Sequence, residues 1–512
     1  MPAPTSEPST APTPARPAAP GPARRLPLPA EGRWAAEEYV ATHLGHLAER
    51  RRAEAENRSS STVRGGQAAA DAALRRLVLR GYAEHRRNAY PQPRRTVSGL
   101  SPWIRHGLLS LQRVWDSVEG GDPADVHAFR RSLLLQEYGR HLYARLGPRL
   151  ADLGEPVTSA AAAPAGDRGG DGNGLTPGRR SGRPDRRAGG AEGFVATRDR
   201  RRSAPSAGWD RRMGCLGLPL DEVEEDGWLV GEGRRWLASW WLGHTDRSWR
   251  EGDDHLYRHL LDGSRSAGRL SWLRGQGLLG GERHPFSRWE VERLAPGLCA
   301  SCELVYQCPV ERLPDHAPDT ALLSTPAPSP SRATTSTGTA TPVGTATPVG
   351  TATPGGRSDA VAIAWALLDE DPDLTGTTGP LLPSITGRAE EVWLTAESLG
   401  DTDPALVAHP ELPAVFVFDE PLLAGLRLSS GRLSFLVETL AELASRRRLE
   451  LWLGDPVEVL AGRRLAATFT PVPGWRRRAD RLDVVATHPW PWLRVPISSR
   501  IDSLDCWWQA VS

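Results

Sequence analysis

The sequence predicts an α+β protein of more than one domain, a mostly α-helical unit followed by a small parallel α/β unit. Three observations carry this. Up to about residue 314 the apolar side chains recur at helical spacing. Beyond residue 357 short β-type runs alternate with a helical stripe. Between them a spacer of about 315–357, which contains tandem Thr-Ala-Thr-Pro-Val-Gly units between 339 and 354, cannot build a core and is expected to be a linker.

Taken in order, residues 1–32 are rich in proline and alanine without helical periodicity, and are expected to be disordered. The helical domain is expected over 33–314. Ala72, Leu74, Leu77 and Val78 lead one amphipathic run into Tyr82, and Phe129, Leu133, Gln136, Glu137 and His141 mark a second. A Gly/Arg/Ala-rich insertion at about 157–207 interrupts it. The α/β domain, 358–512, opens with the runs Val392-Trp393-Leu394 and Val415-Phe416-Val417-Phe418. A stripe of Leu433, Leu436, Val437, Leu440 and Leu443 follows, then Leu449 to Leu453, ending at Gly454-Asp455-Pro456. Strand, helix and strand make a βαβ unit and hence a parallel sheet. Its first strand is not followed by Gly-x-Gly-x-x-Gly, so no tight nucleotide site is predicted from it.

Composition narrows the function. Glycine (52) and proline (45) leave room for long spacers in 512 residues. All 63 basic residues are arginine, a bias a GC-rich genome explains more simply than phosphate recognition does, and the net charge is only +1. Any nucleic-acid surface must therefore arise from local clustering, with Arg94, Arg95 and Arg105 as candidates. The arginine-rich stretch near 179–202 reads as a solvated loop. The first 30 residues have no signal-type apolar core, and no run of about 18 apolar residues is present to span a membrane. The expectation is a cytoplasmic monomer with reduced thiols and no membrane partner.

Two stretches carry candidate chemistry. Cys299-Ala300-Ser301-Cys302 is a CxxC followed six residues later by Cys308-Pro309, and Cys215 lies upstream. Together they can supply the four-thiolate shell that zinc or a [4Fe-4S] cluster requires, while Cys506 is expected to be a buried thiol. The stretch from Arg95 to Pro102 ends a loop and opens a helix, with Ser101 expected as N-cap and Pro102 at the first helical position. Small hydroxyls and free amides there suit a diphosphate.

Gly227-Trp228-Leu229-Val230, Trp249-Arg250-Glu251-Gly252 and the run from Asp262 to Trp272 follow one another at spacings that resemble the FAD-binding helical domain of the photolyase/cryptochrome family. The resemblance covers most of residues 62–314. It includes Gly65-Gly66-Gln67, the run Tyr82 to Arg86, Ser98-Gly99-Leu100-Ser101-Pro102 and the run Gln136 to Leu142. It implies that Tyr82, Val97, Ser98, Leu100 and Ser101 contact the FAD phosphates and ribityl chain. Asp262 would then accept a hydrogen bond from the isoalloxazine edge, and Trp249 and Trp272 would relay electrons to the flavin. In the iron-sulfur branch a cysteine precedes the Gly-Trp block as Cys215 does here, 12 residues before Gly227. That branch favours [4Fe-4S] over zinc for Cys215, Cys299, Cys302 and Cys308. The C-terminal region is similar to the family's Rossmann-like antenna domain, which in the family comes first in the chain.

The implied activity is light-driven electron transfer from FAD to pyrimidine dimers in DNA. The lesion-binding carboxylate and tryptophan are replaced by Ser132 and Leu135, the Asn facing flavin N5 by Gly268, and an Asn-Arg pair by Gly231-Glu232. These losses favour a non-repairing light or redox sensor, or a member that has lost the flavin. Thr395-Ala396-Glu397-Ser398 stands where the antenna domain carries a basic-acidic signature, which counts against an antenna chromophore or an ion pair there.

Overall fold

The computed structural model describes residues 22–49, 63–147, 208–276, 286–311, 378–495 and 504–511. Most of the N-terminal Pro/Ala segment, the 157–207 insertion and the 315–357 linker lie outside the described residues.

The chain forms a mixed α/β structure with one mixed sheet. Its helical unit comprises α1 (Arg33–Tyr39, continued by a π-helical turn Val40–Leu44), α2 (Gln67–Arg75), α3 (Tyr82–His85), α4 (Ser101–Arg105), α5 (Leu111–Asp116) and α6 (Pro123–Leu146). It continues with α7 (Gly214–Glu225), α8 (Gly231–His244), α9 (Trp249–His259), α10 (Arg265–Gly275) and α11 (Arg288–Leu294). Local chemistry sets several starts: Asp122 accepts from the amides of Ala124 and Asp125 ahead of Pro123, and Ser248 accepts from Arg250.

The sheet contains β1 (Arg24–Leu26), β2 (Ser384–Ile385), β3 (Glu391–Leu394), β4 (Ala414–Asp419), β5 (Leu449–Gly454), β6 (Leu465–Thr468) and β7 (Val484–His488). Its order is β1-β5-β4-β3-β6-β7-β2, with the five central strands parallel and the two edges antiparallel. The crossovers carry α12 (Pro404–Ala408), α13 (Glu420–Leu426), α14 (Ser430–Arg446), α15 (Pro456–Val459) and α16 (Pro473–Ala479), and α17 (Leu504–Val511) ends the chain. Strand order reverses between β3 and β6, which opens a crevice at their carboxyl ends.

Both sheet faces are buried, and the pleat divides them. Ala414, Phe416 and Phe418 of β4 enter a large apolar core, while Val415 and Val417 enter a second cluster with Trp393 and Trp475. The large core is continuous from Leu26 through the helical unit to Val511. The expectation of disorder over 1–32 is corrected at Arg24–Leu26, which pairs with Trp452 and its neighbours on β5. An edge strand with unpaired amides and carbonyls favours such a partner, and Leu26 is buried beneath it.

The C-terminal segment docks on α6. Trp507 Nε1 donates to His141 Nδ1 at 3.2 Å, and the buried Glu137 carboxylate accepts the amides of Leu493 and Arg494 at 2.5 and 3.2 Å. Among the described residues no helix is long and apolar enough to cross a membrane.

Burial pushes the Glu137 carboxyl up to about 7, although Arg140 and the two amides oppose the shift. A carboxyl raised on folding contributes stability that is full below its unfolded value near 4.3 and is lost as pH rises through about 7. The wild type should therefore lose stability relative to Glu137→Gln between those pH values, by up to about 1.4 kcal/mol per pH unit. Asp253 and Asp403, both raised to about 6, act with the same sign in both proteins and cancel. Denaturant unfolding across pH 4–8 measures the difference; parallel pH profiles would refute it.

Candidate functional site

A cavity of about 850 Å³ lies between the helical unit and the carboxyl ends of β3, β4 and β6. Tyr82, Val97, Ser98, Ser101 and Asp262 all line it, so the structure gathers five of the six residues expected at a cofactor. Leu100 is the exception. It is fully buried in the apolar core and does not face the cavity, because the short α4 turns it inward next to Trp103 and Ile104. Ser101 is the first residue of α4 rather than its cap; its hydroxyl accepts from Trp228 Nε1 at 3.1 Å.

The wall fits a bulky ligand in two respects. Gly99, at φ +65°, and Gly231 both border the cavity, and a Cβ added at either would meet nothing within 4 Å. Asp262 is buried, and one of its oxygens accepts from Arg234 Nη2 at 2.7 Å. Its other oxygen, Oδ1, is buried without a hydrogen-bond partner. A buried carboxylate oxygen left bare costs on the order of 1–3 kcal/mol, a cost that a ligand N–H removes.

Most charges around the cavity are already committed. Arg105 pairs with Glu397 at 2.8 Å; burial alone would raise the Glu397 carboxyl, but Arg105 holds it below the usual range. The expected absence of an ion pair at Thr395–Ser398 is thus corrected. Arg95 forms a two-pronged bond to Glu222 at 2.5 and 3.1 Å, with both side chains more than nine-tenths buried. Neither Arg95 nor Arg105 is therefore free to contact DNA. Burial would raise the Tyr257 phenol, yet Arg432, Arg105 and Arg265 together bring it below its ordinary value.

The positions where the resemblance fails have local partners. A Cβ at Gly268 would come within 2.5 Å of Asp253 Oδ1. Burial raises that carboxyl to about 6 against the pull of Arg265, 2.7 Å away. Glu232 is nearly buried between Arg87 at 2.5 Å and Arg235 at 2.7 Å. Ser132 lines the cavity, but its hydroxyl donates to Phe129 O at 2.6 Å, and Leu135 lies outside the lining and is partly exposed.

Trp249 and Trp272 are both fully buried and neither lines the cavity. Gly252 separates Trp272 from Trp241, and Trp209 packs on Trp241 with ring centres 4.4 Å apart. Sequence reasoning missed this array because Trp241 stands outside the matched blocks. It also missed Arg234, whose signal was its place on the first turn of α8, and Glu222, which no local pattern marks.

All four expected cysteines line a second, small cavity walled by Met213, Val291, Leu298, Leu304, Val305 and Val310. Burial raises the Cys215 thiol, and it pushes Cys299 up to about 12 with help from Glu292. Cys302 Sγ accepts the Gly214 amide at 3.3 Å and lies 3.5 Å from Arg212 O. Among the described residues, no three histidine, cysteine or acidic side chains close around one point tightly enough to ligate a single ion. Cys506 belongs to α17, apart from this group.

An alanine at Gly252 would place its Cβ 2.5 Å from Trp272 Cη2 and 3.1 Å from Trp241 Cδ2. Gly252→Ala is expected to cost about 1–3 kcal/mol by overpacking the indole array, read by denaturant unfolding; an unchanged midpoint would show the array to be loosely packed. In comparisons with known proteins, no family model matches the chain and no curated protein matches it.

Proposed function

We propose that the chain is an FAD-binding flavoprotein of the photolyase/cryptochrome kind, in which a helical flavin domain precedes a Rossmann-like α/β unit. It exchanges electrons with the flavin under light and does not repair DNA. The observation that carries the reading is Asp262, which lines a cavity bordered by Ser98, Gly99 and Ser101 and whose Oδ1 is buried without a hydrogen-bond partner. When bound, the isoalloxazine supplies light absorption and one-electron chemistry. Asp262 would accept a ring-edge N–H, with Arg234 fixing its carboxylate. The 98–101 loop offers hydroxyls and amides to the diphosphate, and Tyr82 lines the same cavity. Trp249 and Trp272 are placed in a dry interior where indoles can pass electrons, with Trp241 beside Trp272.

For the cysteine centre we take a [4Fe-4S] cluster over zinc on the resemblance to the iron-sulfur branch alone, since four cysteines lining one small cavity would serve either group. The non-repairing reading rests on Ser132 and Leu135. The Ser132 hydroxyl is turned back onto its own helix, and neither residue supplies a charge or an aromatic face for a flipped base. An antenna chromophore is not proposed, because Glu397 is spent on Arg105.

The purified protein should be yellow-brown, release FAD on denaturation and contain iron; a colourless, zinc-bearing protein would overturn the proposal. Asp262→Ala should weaken FAD binding about tenfold or more, measured by fluorescence titration. Oligonucleotide carrying a pyrimidine dimer should survive blue light unrepaired, whereas repair would reinstate the lyase activity. Cys299→Ala should remove the iron chromophore and lower the unfolding midpoint, and iron kept at wild-type stoichiometry would refute the ligand assignment.

A further inference from the structure

The loop that borders the cavity is braced from both elements that carry the cysteines. On one side, α7 begins beside Cys215 and, two turns on, presents Glu222. Glu222 takes both prongs of Arg95 and the phenol of Tyr90, at 3.1 Å. Arg95 in turn donates to Ala89 O at 2.6 Å and stacks on the Tyr90 ring at 4.6 Å. On the other side, Leu294, the last residue of α11, accepts the amides of Ala89 and Tyr90 at 2.7 and 3.3 Å, five residues before Cys299. Val97 and Ser98, which line the cavity, lie two and three residues after Arg95.

The two braces converge on one peptide from elements that both line the cysteine cavity: Met213, the residue before α7, and Cys215 on one side, and Val291, Leu298 and Cys299 from α11 and its following turn on the other. Gly214 N meets Cys302 Sγ, Gly214 lies against Leu298, and the two segments share the large apolar core. A cluster ligated by Cys215 and by Cys299, Cys302 and Cys308 joins the two elements covalently. It thereby fixes the distance between Glu222 and Leu294 O, across which the 89–95 segment is stretched. We propose that occupancy of the cysteine centre sets the order of the 95–101 loop, and so the affinity of the cavity for its cofactor, with Glu222 as the positioning residue. The proposal rests on the metal and flavin readings above and adds a coupling between them, reciprocal by linkage.

Amide hydrogen exchange on the full-length chain tests it, comparing protein as purified with protein stripped of iron by chelator, with FAD titrated in parallel. Iron removal should speed exchange over 89–101 and weaken FAD by a similar factor, about fivefold or more. In Glu222→Gln the 89–101 peptide should exchange fast with or without iron, while 299–308 still responds to it. Replacing the pair together, Arg95→Leu with Glu222→Leu, removes the brace without leaving a buried charge alone and should behave like Glu222→Gln. Unchanged exchange over 89–101 on iron removal, or an undiminished response in both variants, would overturn the coupling. Should the stripped chain unfold, the iron-loaded proteins decide: faster exchange over 89–101 in the variants supports the brace, and equal exchange overturns it. If FAD does not bind but exchange responds to iron, the flavin proposal fails and the coupling stands. If FAD binds equally with and without iron and exchange is unmoved, the reverse holds; a chain that takes up no iron overturns the coupling outright.

Discussion

The cavity depends on one buried guanidinium. Arg105 reaches from the end of α4 to Glu397 beyond the carboxyl end of β3, and its Nε donates to Gly263 O at 3.0 Å, one residue after Asp262. A single rigid fork therefore fixes the spacing of the phosphate-type loop, the sheet edge and the bare carboxylate. The next residue repeats the link: His106 makes its shorter contact, 2.8 Å, through Nδ1 to Ala396 O, and its Nε2 faces Leu261 O at 3.2 Å. Arg432 from α14 closes the corner by donating to Gly263 O at 2.7 Å. Burying such charges is expensive, and the expense is recovered only where every prong has a partner. Planar arginine meets that condition better than lysine, which the chain lacks altogether.

This corner explains why arginine abundance is a poor guide to nucleic acid in this chain. Arg95, Arg105, Arg234, Arg265 and Arg432 all stand near the cavity, and each is engaged with a carboxylate or a carbonyl. Those five leave a positively biased wall, to which Arg269 and Arg477 also belong. Its effect shows on Tyr257, which lies against Arg265 and Arg432 at 4.0 and 4.4 Å from its ring centre and whose phenol is brought below its ordinary value despite burial. A bound anionic or electron-rich ligand gains from the same field.

Much of this was legible from short-range spacing, and what was not depends on distant partners. The Cys299–Cys308 trio, the 95–102 loop and the β-type runs are set by residues a few positions apart, and the structure adds Cys215 to the trio around one cavity. The strand at Arg24–Leu26 could not be read, because what orders it is the edge of β5; Arg25 pairs with Glu450 at a separation of 425 residues. Glu222 reads as one more acidic residue on a helix face until Arg95 is folded onto it. Leu100 misled for the opposite reason: its neighbours on both sides face the cavity, and only the tight turn into α4 sends its side chain to the core. Burial of Glu137 under the C-terminal segment, 356 residues away at Leu493, belongs to the same class.

The substitutions that separate the chain from a repair enzyme bear on whether its site is decaying. A site that loses residues without selection accumulates unpaired polar groups and voids, each costing on the order of 1–3 kcal/mol. Here the replaced positions are satisfied locally. Gly268 leaves room that Asp253 fills, Glu232 is neutralised by Arg87 and Arg235, and Ser132 closes onto Phe129 O. Among the described residues, buried carboxylate oxygens without a hydrogen-bond partner lie on Asp262, which lines the cavity, and on Glu49 and Glu137, which do not. Under the flavin proposal, local compensation at these positions beside a cavity-lining carboxylate with one unpartnered oxygen fits a pocket rebuilt around a retained ligand. Were the proposed ligand lost, an apolar residue in place of Asp262 or a protein N–H beside it would relieve the bare oxygen.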